Sequence, residues 1–146
     1  METLIKELNQ YLSDLAVFYR KLQNYHWNVK GSDFFVVHEK LEEYYNKIND
    51  QIDEVAEHIL TLNAQPLGTL KDYLANTKIT EAENKKVDCT TIFNTLIKDY
   101  STLLQDSINI KKSAENSEEY KTSALMYSSI EKYSKILWML NQTIEK

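Results

Sequence analysis

Apolar residues recur every three or four positions along the start of the chain. This spacing places them on one face of an α-helix and predicts a first helix that runs to about Val29. Gly31 can adopt the left-handed conformation that ends a helix, and Ser32 or Asp33 can cap the helix that follows. The pattern therefore predicts a helical hairpin. The apolar positions of its first helix are Leu4, Leu8, Tyr11, Leu12, Leu15, Tyr19 and Leu22.

The same periodicity predicts three more long helices. They cover residues 33–62, about 87–113 and about 117–144. The helix over residues 33–62 has a length of ~45 Å, which is typical of a helical bundle. Two hairpins are therefore expected, one from each half of the chain.

A polar connection over residues 63–86 joins the two hairpins. Pro66 and Gly68 mark the place where the chain leaves the second helix, and Thr69 can cap a short helix within the connection. Two hairpins joined by one long crossover are the arrangement of a ferritin-like four-helix bundle. The predicted fold is thus all-α, with a short helix in the crossover between helices two and three.

The composition agrees with a single helical domain over residues 1–146. The chain has 146 residues with two glycines and one proline, so it has few places for the turns that short strands need. Its 17 Lys and Arg stand against 22 Asp and Glu, and the net charge of −5 argues against a dedicated binder of nucleic acid backbone. The single cysteine, Cys89, excludes an internal disulfide and fits a reducing compartment.

The N-terminal segment METLIKELNQYLSDL alternates charged and apolar residues. An uninterrupted apolar run, which a signal peptide or a membrane span requires, is missing from it. We therefore expect a cytoplasmic protein that does not enter the membrane.

Four polar side chains of the second helix lie on one shoulder of its apolar face. At 100° per residue, Glu42, Asp53 and Glu57 project within about 100° of His38. They form two pairs, each four residues apart, and each pair can close on one ion. The pairs are ~16 Å apart along the helix, which is too far for one metal. A second copy of the helix, antiparallel across a twofold axis, would bring the two halves together.

His26 lies one turn before the break that ends the first helix. The hairpin must fold it back beside His38, so it can join the half-site of His38 and Glu42. Two imidazoles with two or three carboxylates suit iron(II) or manganese and are acceptable to zinc. The residues therefore predict a metal site that two subunits share.

Two other interpretations stay open on the residues alone. Charged residues on a helix shoulder are commonly solvated ion-pair partners, and a histidine beside Trp27 on an amphipathic helix is commonly a core residue. A di-iron centre inside the bundle requires Glu three residues before His on two helices. The positions three before each histidine hold Gln23, Phe35 and Val55, so a site between subunits is preferred.

The remaining candidates for chemistry lie outside this set. His58 projects to the polar side of the second helix and is predicted to be a surface residue. Cys89 opens the third helix without a histidine nearby in sequence, which disfavours a nucleophile. The ten tyrosines fall mostly on apolar stripes and are interpreted as packing residues.

Three segments resemble one known family. Residues 24–42 read NYHWNVKGSDFFVVHEKLE, residues 53–59 read DEVAEHI, and residues 65–69 read QPLGT. The combination of two histidines, an intervening glycine and Asp-x-x-x-Glu resembles the Dps family, the ferritin-like DNA-binding proteins from starved cells. The length and helix plan are similar over essentially the whole chain, so the resemblance favours the metal site over the other interpretations.

The resemblance implies a hollow shell of twelve subunits with ferroxidase centres at the twofold interfaces. By this likeness, His26, His38 and Glu42 of one subunit and Asp53 and Glu57 of the twofold-related subunit are the metal ligands. The family has an aspartate where this chain has Glu42. The bound iron is expected as a di-iron or mononuclear centre, with zinc or manganese as other resting metals.

The resemblance also implies the reaction. In such proteins iron(II) is oxidised, preferably by hydrogen peroxide, and the ferric product is stored as a mineral inside the shell. Trp27 is similar to a tryptophan that takes up an oxidising equivalent near the family's centre. Glu115, Glu118 and Glu119 correspond to the acidic start of the fourth helix, which lines the family's threefold pores.

DNA binding is not expected at physiological salt. Family members that bind DNA directly tend to carry a lysine-rich N-terminal extension, whereas this chain starts in its first helix and its C-terminus is nearly neutral. The alternative function is a nucleoid-associated, DNA-protecting protein with secondary iron chemistry. A metal-free helical scaffold is a third alternative.

Overall fold

The computed structural model describes residues 1–144 and contains a four-helix bundle. The predicted all-α fold with a short helix in the crossover is confirmed, and the predicted ends of the long helices agree within three residues. Glu145 and Lys146, the end of the nearly neutral C-terminus, lie outside the described residues. The elements are α1 (Glu2–Asn28), β1 (Val29–Lys30), α2 (Phe34–Thr61), α3 (Leu70–Asn76), β2 (Val87–Asp88), α4 (Cys89–Asn116) and α5 (Tyr120–Ile144).

The four long helices enclose one apolar core. Helix α1 packs against α2, α3 and α4, and α4 packs against α5. Leucines at the predicted positions of α1 are almost fully buried, because the three-and-four spacing keeps them on one face. Among residues 1–144, no helix is both long enough and apolar enough to cross a membrane.

Two buried tyrosines carry hydrogen bonds through the middle of the core. The hydroxyls of Tyr11 and Tyr133 are 2.5 Å apart, and Tyr133 donates to Oε1 of Gln51 at 2.9 Å. The Tyr11 hydroxyl also donates to the Ser129 hydroxyl at 3.3 Å. Tyr100 packs beside Tyr133 with ring centroids 5.9 Å apart. The interpretation of these tyrosines as packing residues is correct, and the hydrogen bonds also join α1, α5 and α2.

A short parallel ladder, which the sequence pattern did not predict, closes one end of the bundle. Val29 pairs with Val87, and Lys30 pairs with Asp88. The chain leaves α1 in extended conformation at Val29, so Gly31 does not end the helix as expected. Its φ of +125° instead serves the turn into α2.

The predicted caps are confirmed in part. Thr69 accepts a hydrogen bond from the backbone N–H of Asp72 and caps α3. Asp33 occupies the cap position of α2, but its side chain makes no capping hydrogen bond. Asp88 caps α4 by accepting from the N–H of Thr91 at 3.2 Å.

Two buried carboxyl groups attach the crossover to the bundle. Asp14 accepts hydrogen bonds from the Thr77 hydroxyl at 2.8 Å and from the Lys78 N–H at 2.7 Å. Lys78 also reaches Oδ1 of Asp106 with its Nζ at 2.6 Å. Burial, and then the Asp14 carboxyl beside it, raise the pKa of Asp106 to about 8. We call Asp14 and Asp106 the carboxyl pair.

The carboxyl pair makes stability depend on pH. The pKa of Asp106 is higher in the folded chain than its ordinary value of 3.8, so folding favours its protonated form. This contribution is complete below about pH 4 and is lost as the pH rises towards about 8. The Asp106→Asn variant keeps the shape and cannot ionise. We expect its free energy of unfolding to decline less between pH 5 and pH 9, by about 1–3 kcal/mol.

Denaturant unfolding at one protein concentration measures this difference. The Asp50→Asn variant is the control, because Asp50 is an exposed aspartate on α2. A wild-type-like pH dependence in Asp106→Asn would contradict the assignment.

Candidate metal centre

His26 and His38 lie against each other where α1 meets α2. Their rings stack with centroids 3.7 Å apart and planes inclined by 12°. Nδ1 of His26 is 2.6 Å from the backbone carbonyl of His38, and Nδ1 of His38 is 2.7 Å from the carbonyl of His26. The tight turn around Gly31 brings them together, as the predicted hairpin requires. We call His26 and His38 the histidine pair.

The crossed hydrogen bonds of the histidine pair determine which ring nitrogens are available. A carbonyl oxygen only accepts, so each Nδ1 carries the hydrogen. In the neutral ring each Nε2 then carries a free lone pair, and this is the form of histidine that binds a metal. Backbone carbonyls that hold Nδ1–H in this way are a common support for metal-binding histidines. His26 is 6% exposed, so its ring has little freedom to rotate.

Glu42 lies beside the histidine pair. Its Oε1 is 3.7 Å from Nε2 of His26, and the Tyr45 hydroxyl donates to the same oxygen at 3.4 Å. Burial, and then the Glu42 charge, raise the pKa of Tyr45, so the phenol keeps its proton. The structure thus brings together the predicted residues of the first half-site, with two imidazoles and one largely exposed carboxylate.

Two aromatic residues that the sequence reasoning missed hold this half-site in place. The Phe34 ring stacks on the His38 ring with their centroids 4.9 Å apart. The Tyr45 ring is nearly perpendicular to the His26 ring, with centroids 5.4 Å apart. Their spacing contained the signal, because Phe34 is four residues before His38 and Tyr45 is three after Glu42.

Asp53 and Glu57 lie further along α2, away from the histidine pair. Both are exposed, and neither side chain makes a hydrogen bond or ion pair within the described residues. Across residues 1–144, no three His, Cys, Asp or Glu side chains of one chain are close enough to hold a metal ion. A complete coordination shell therefore needs donors from beyond the single chain.

Large apolar side chains are exposed near the histidine pair. Trp27 is 55% exposed at the end of α1, and Phe35 and Val36 are more than 70% exposed at the start of α2. Exposed apolar clusters of this kind mark interaction surfaces. The side of the hairpin that carries the half-site is thus suited to contact another molecule.

The prediction that His58 is a surface residue is wrong. His58 is half-buried, and its Nε2 is 2.6 Å from the Thr122 hydroxyl at the start of α5. Burial lowers the pKa of His58 despite the nearby Glu119. The helical projection missed this contact because it considered one helix without its neighbour.

The three acids near the start of α5 differ in their surroundings. Glu115 forms an ion pair with Lys111 and accepts from Ser123, which lower its pKa. Glu119 accepts from the N–H and hydroxyl of Thr122; burial raises its pKa, but these bonds produce a net lowering. Glu118 is exposed with a φ of +56°. The lowered pKa values keep Glu115 and Glu119 charged at neutral pH, and the pore assignment stays a prediction.

Cys89 is the first residue of α4 and is half-buried. Burial, and then the charges of Asp33 and Asp88, raise the pKa of its thiol. The thiolate is therefore disfavoured at neutral pH, which agrees with the expectation that Cys89 is not a nucleophile.

The histidine pair can be tested as a metal ligand without iron oxidation. In His38→Asn the amide nitrogen takes the place of Nδ1 and keeps the hydrogen bond to His26, while the Nε2 lone pair is lost. We expect zinc(II) affinity, measured by calorimetry, to fall at least about tenfold with little change in stability. The control, His58→Asn, removes a histidine outside the half-site. Equal zinc affinity in His38→Asn and wild type would exclude His38 as a ligand.

Comparisons with known proteins identify the family. The model of the ferritin-like domain matches residues 5–146. The chain is 37% identical over 140 residues to DNA protection during starvation protein 2 of Bacillus anthracis, covering 94% of this chain and 93% of that protein. It is 34% identical over 128 residues to the DNA protection during starvation protein of Helicobacter pylori, covering 88% and 89%.

Solved structures give the same result. A Dps protein of Vibrio cholerae, described as a member of a broad superfamily of ferritin-like diiron-carboxylate proteins, matches with a TM-score of 0.95 and 36% identity, covering 99% of this chain and 90% of that one. Antigen TpF1 of Treponema pallidum matches with a TM-score of 0.97 and 31% identity, covering 99% and 93%. The chain therefore belongs to the Dps family of ferritin-like proteins.

Proposed function

We propose that the protein is a ferroxidase that oxidises iron(II), with hydrogen peroxide as its preferred oxidant. The ferric product is stored as a mineral inside a hollow shell of twelve subunits in the cytoplasm. The histidine pair beside Glu42 carries this proposal, because it offers oriented nitrogen donors and a carboxylate at an otherwise incomplete site.

The second half of the site comes from the partner subunit in this proposal. Asp53 and Glu57 are exposed and have no partner among the described residues of their own chain. Along α2, Asp53 is ~16 Å and Glu57 is ~22 Å from Glu42, which rules out a shared ion within one chain. An antiparallel pairing of two α2 helices places Asp53 and Glu57 of the partner subunit opposite the histidine pair, and the twofold axis generates two such sites.

The donor set fits iron as the substrate. Imidazole and carboxylate bind iron(II), and carboxylate oxygens hold the ferric product more strongly than neutral donors do. Two iron(II) ions supply the two electrons that break the O–O bond of one peroxide, and two protons complete two waters. Because both electrons arrive together, hydroxyl radical is not released. The same donors accept zinc or manganese as resting metals.

Two supporting roles belong to this proposal. Trp27 is 55% exposed at the end of the helix that carries His26, and it takes up an oxidising equivalent when iron is in short supply. Glu115, Glu118 and Glu119 attract iron(II) to a pore near the start of α5.

Protection of DNA follows from the iron chemistry in this proposal. Relatives are named for DNA protection during starvation. The net charge of −5 per chain gives little attraction to phosphates, so this protein removes iron(II) and peroxide rather than coating DNA. Retention of linear DNA in a gel shift at physiological salt would instead favour the nucleoid-associated alternative.

Mixed assemblies test whether two subunits share the site. His38→Asn and Asp53→Asn each remove one half, so either variant alone should oxidise iron(II) no faster than buffer. In a twofold dimer containing one of each, one site carries both substitutions and the other is intact. Random mixing should therefore restore about a quarter of the wild-type sites.

Ferric absorbance after anaerobic loading and addition of peroxide measures the rate. Each variant unfolded and refolded alone is the matched control. A mixture that stays inactive would show that one chain holds the whole site. Wild-type rates in each variant alone would reject the ligand assignment, and a ratio far from two iron(II) per peroxide would reject peroxide as a two-electron acceptor.

A further inference from the structure

Glu42 is the least restrained of the candidate ligands in the first half-site. Its side chain is 53% exposed, whereas that of His26 is 8% exposed. A glutamate side chain has several rotatable bonds, so an exposed glutamate samples many positions unless another group holds it. Among residues 1–144, the Glu42 carboxylate makes two polar contacts, with Nε2 of His26 at 3.7 Å and with the Tyr45 hydroxyl at 3.4 Å. These contacts decide where the carboxylate lies.

The contact with His26 does not hold the carboxylate by itself. Nδ1 of His26 carries the hydrogen, so Nε2 of the neutral ring offers a lone pair. The Glu42 oxygen is also an acceptor, so no hydrogen lies between the two atoms. Two lone pairs that face each other repel, and this contact alone would turn the exposed carboxylate towards water. A cation between the two atoms replaces the repulsion with two favourable bonds.

The spacing of the two atoms is suited to one shared ion. Nitrogen and oxygen ligands bind a zinc ion at about 2.0–2.2 Å, so two of them on the same ion are about 3–4 Å apart. Oε1 of Glu42 and Nε2 of His26 are 3.7 Å apart. The carboxylate therefore lies where both atoms can bind one ion, although the facing lone pairs oppose this position.

Tyr45 supplies the restraint. Its ring is nearly perpendicular to the rings of Tyr19 and His26 on α1, with centroids 5.9 and 5.4 Å away. These two rings fix the position of the phenol, and its hydroxyl donates to Oε1 of Glu42. A hydrogen bond of 3.4 Å is long, and hydrogen bonds around a binding site commonly tighten when the site is filled.

We propose that Tyr45 is a positioning residue for the metal centre. Its hydroxyl holds the Glu42 carboxylate at ligand distance from Nε2 of His26, against the repulsion of the two lone pairs. Tyr45 binds no metal itself and acts through Glu42. Carboxylates that bind metals are commonly held by hydrogen bonds, and loss of the donor weakens metal binding. The inference rests on the proposed function, because it adds a residue to the same site.

Three variants separate the hydroxyl from the rest of the half-site. Tyr45→Phe keeps both perpendicular ring contacts and removes only the hydroxyl. Glu42→Ala removes the carboxylate that the hydroxyl holds. Tyr19→Phe is the matched control, since it removes a neighbouring hydroxyl that accepts from Nε2 of Gln23 and forms no hydrogen bond with Glu42 within the described residues.

Calorimetry with zinc(II) on metal-free, full-length protein measures the effect. We expect Tyr45→Phe to bind zinc about three- to tenfold more weakly than wild type, and Tyr19→Phe to bind it equally well. In the Glu42→Ala background, Tyr45→Phe should cause no further loss, because the hydroxyl has no carboxylate to hold.

Cobalt(II) provides a readout that altered packing alone would not move. Its visible absorption depends on the number and arrangement of its ligands. Tyr45→Phe and Glu42→Ala should shift the cobalt bands in the same direction, since both take the carboxylate away from the ion. Tyr19→Phe should leave the bands unchanged, and the free energy of unfolding of Tyr45→Phe in denaturant should stay close to that of wild type.

Each contrary result rejects the inference for a different reason. Equal zinc affinity and equal cobalt bands in Tyr45→Phe and wild type would show that the hydroxyl does not position a ligand. An equal loss from Tyr45→Phe with and without the Glu42 carboxylate would show that Tyr45 acts through His26 instead. Wild-type zinc affinity in Glu42→Ala would show that Glu42 is not a ligand.

The proposed ferroxidase function fails or stands separately. If wild type binds zinc but oxidises iron(II) no faster than buffer, the function is wrong and the role of Tyr45 in metal binding is unaffected. If wild type oxidises iron(II) quickly and Tyr45→Phe binds zinc as wild type does, only the role of Tyr45 is wrong. Absence of zinc binding by wild type would reject both.

Discussion

The crossed hydrogen bonds of the histidine pair are the interaction on which the candidate centre depends. Each ring uses Nδ1 to hold the backbone of the other helix, so one contact both closes the hairpin and sets the ring orientation. Phe34 and Tyr45 then confine the two rings from the sides. The two rings are therefore held in one orientation by the chain itself, before any ligand binds.

The fold was predictable because its signals are local. Apolar residues spaced three and four apart locate the long helices without knowledge of the packing. Pro66 and Gly68 locate the crossover in the same way. The ladder of β1 and β2 was not predictable, because two residues carry no periodicity and their pairing depends on how the crossover returns to the bundle.

The sequence could predict which residues form the candidate site, but not how their side chains are oriented. Spacing along one helix groups His38 with Glu42, and a hairpin adds His26, but the choice of ring nitrogen depends on the carbonyl opposite. His58 illustrates the opposite error, since a single-helix projection placed it in solvent while Thr122 of α5 covers it.

The contacts that define the hairpin and those that hold the crossover close loops of very different length. The histidine pair joins residues 12 apart, whereas the bond from Lys78 to Asp14 spans 64 residues. Because closing a short loop costs less chain entropy, we expect the half-site in the α1–α2 hairpin to form before the crossover attaches. In this order, a newly synthesised chain presents the Nε2 lone pairs of the histidine pair while the second half of its bundle is still being assembled.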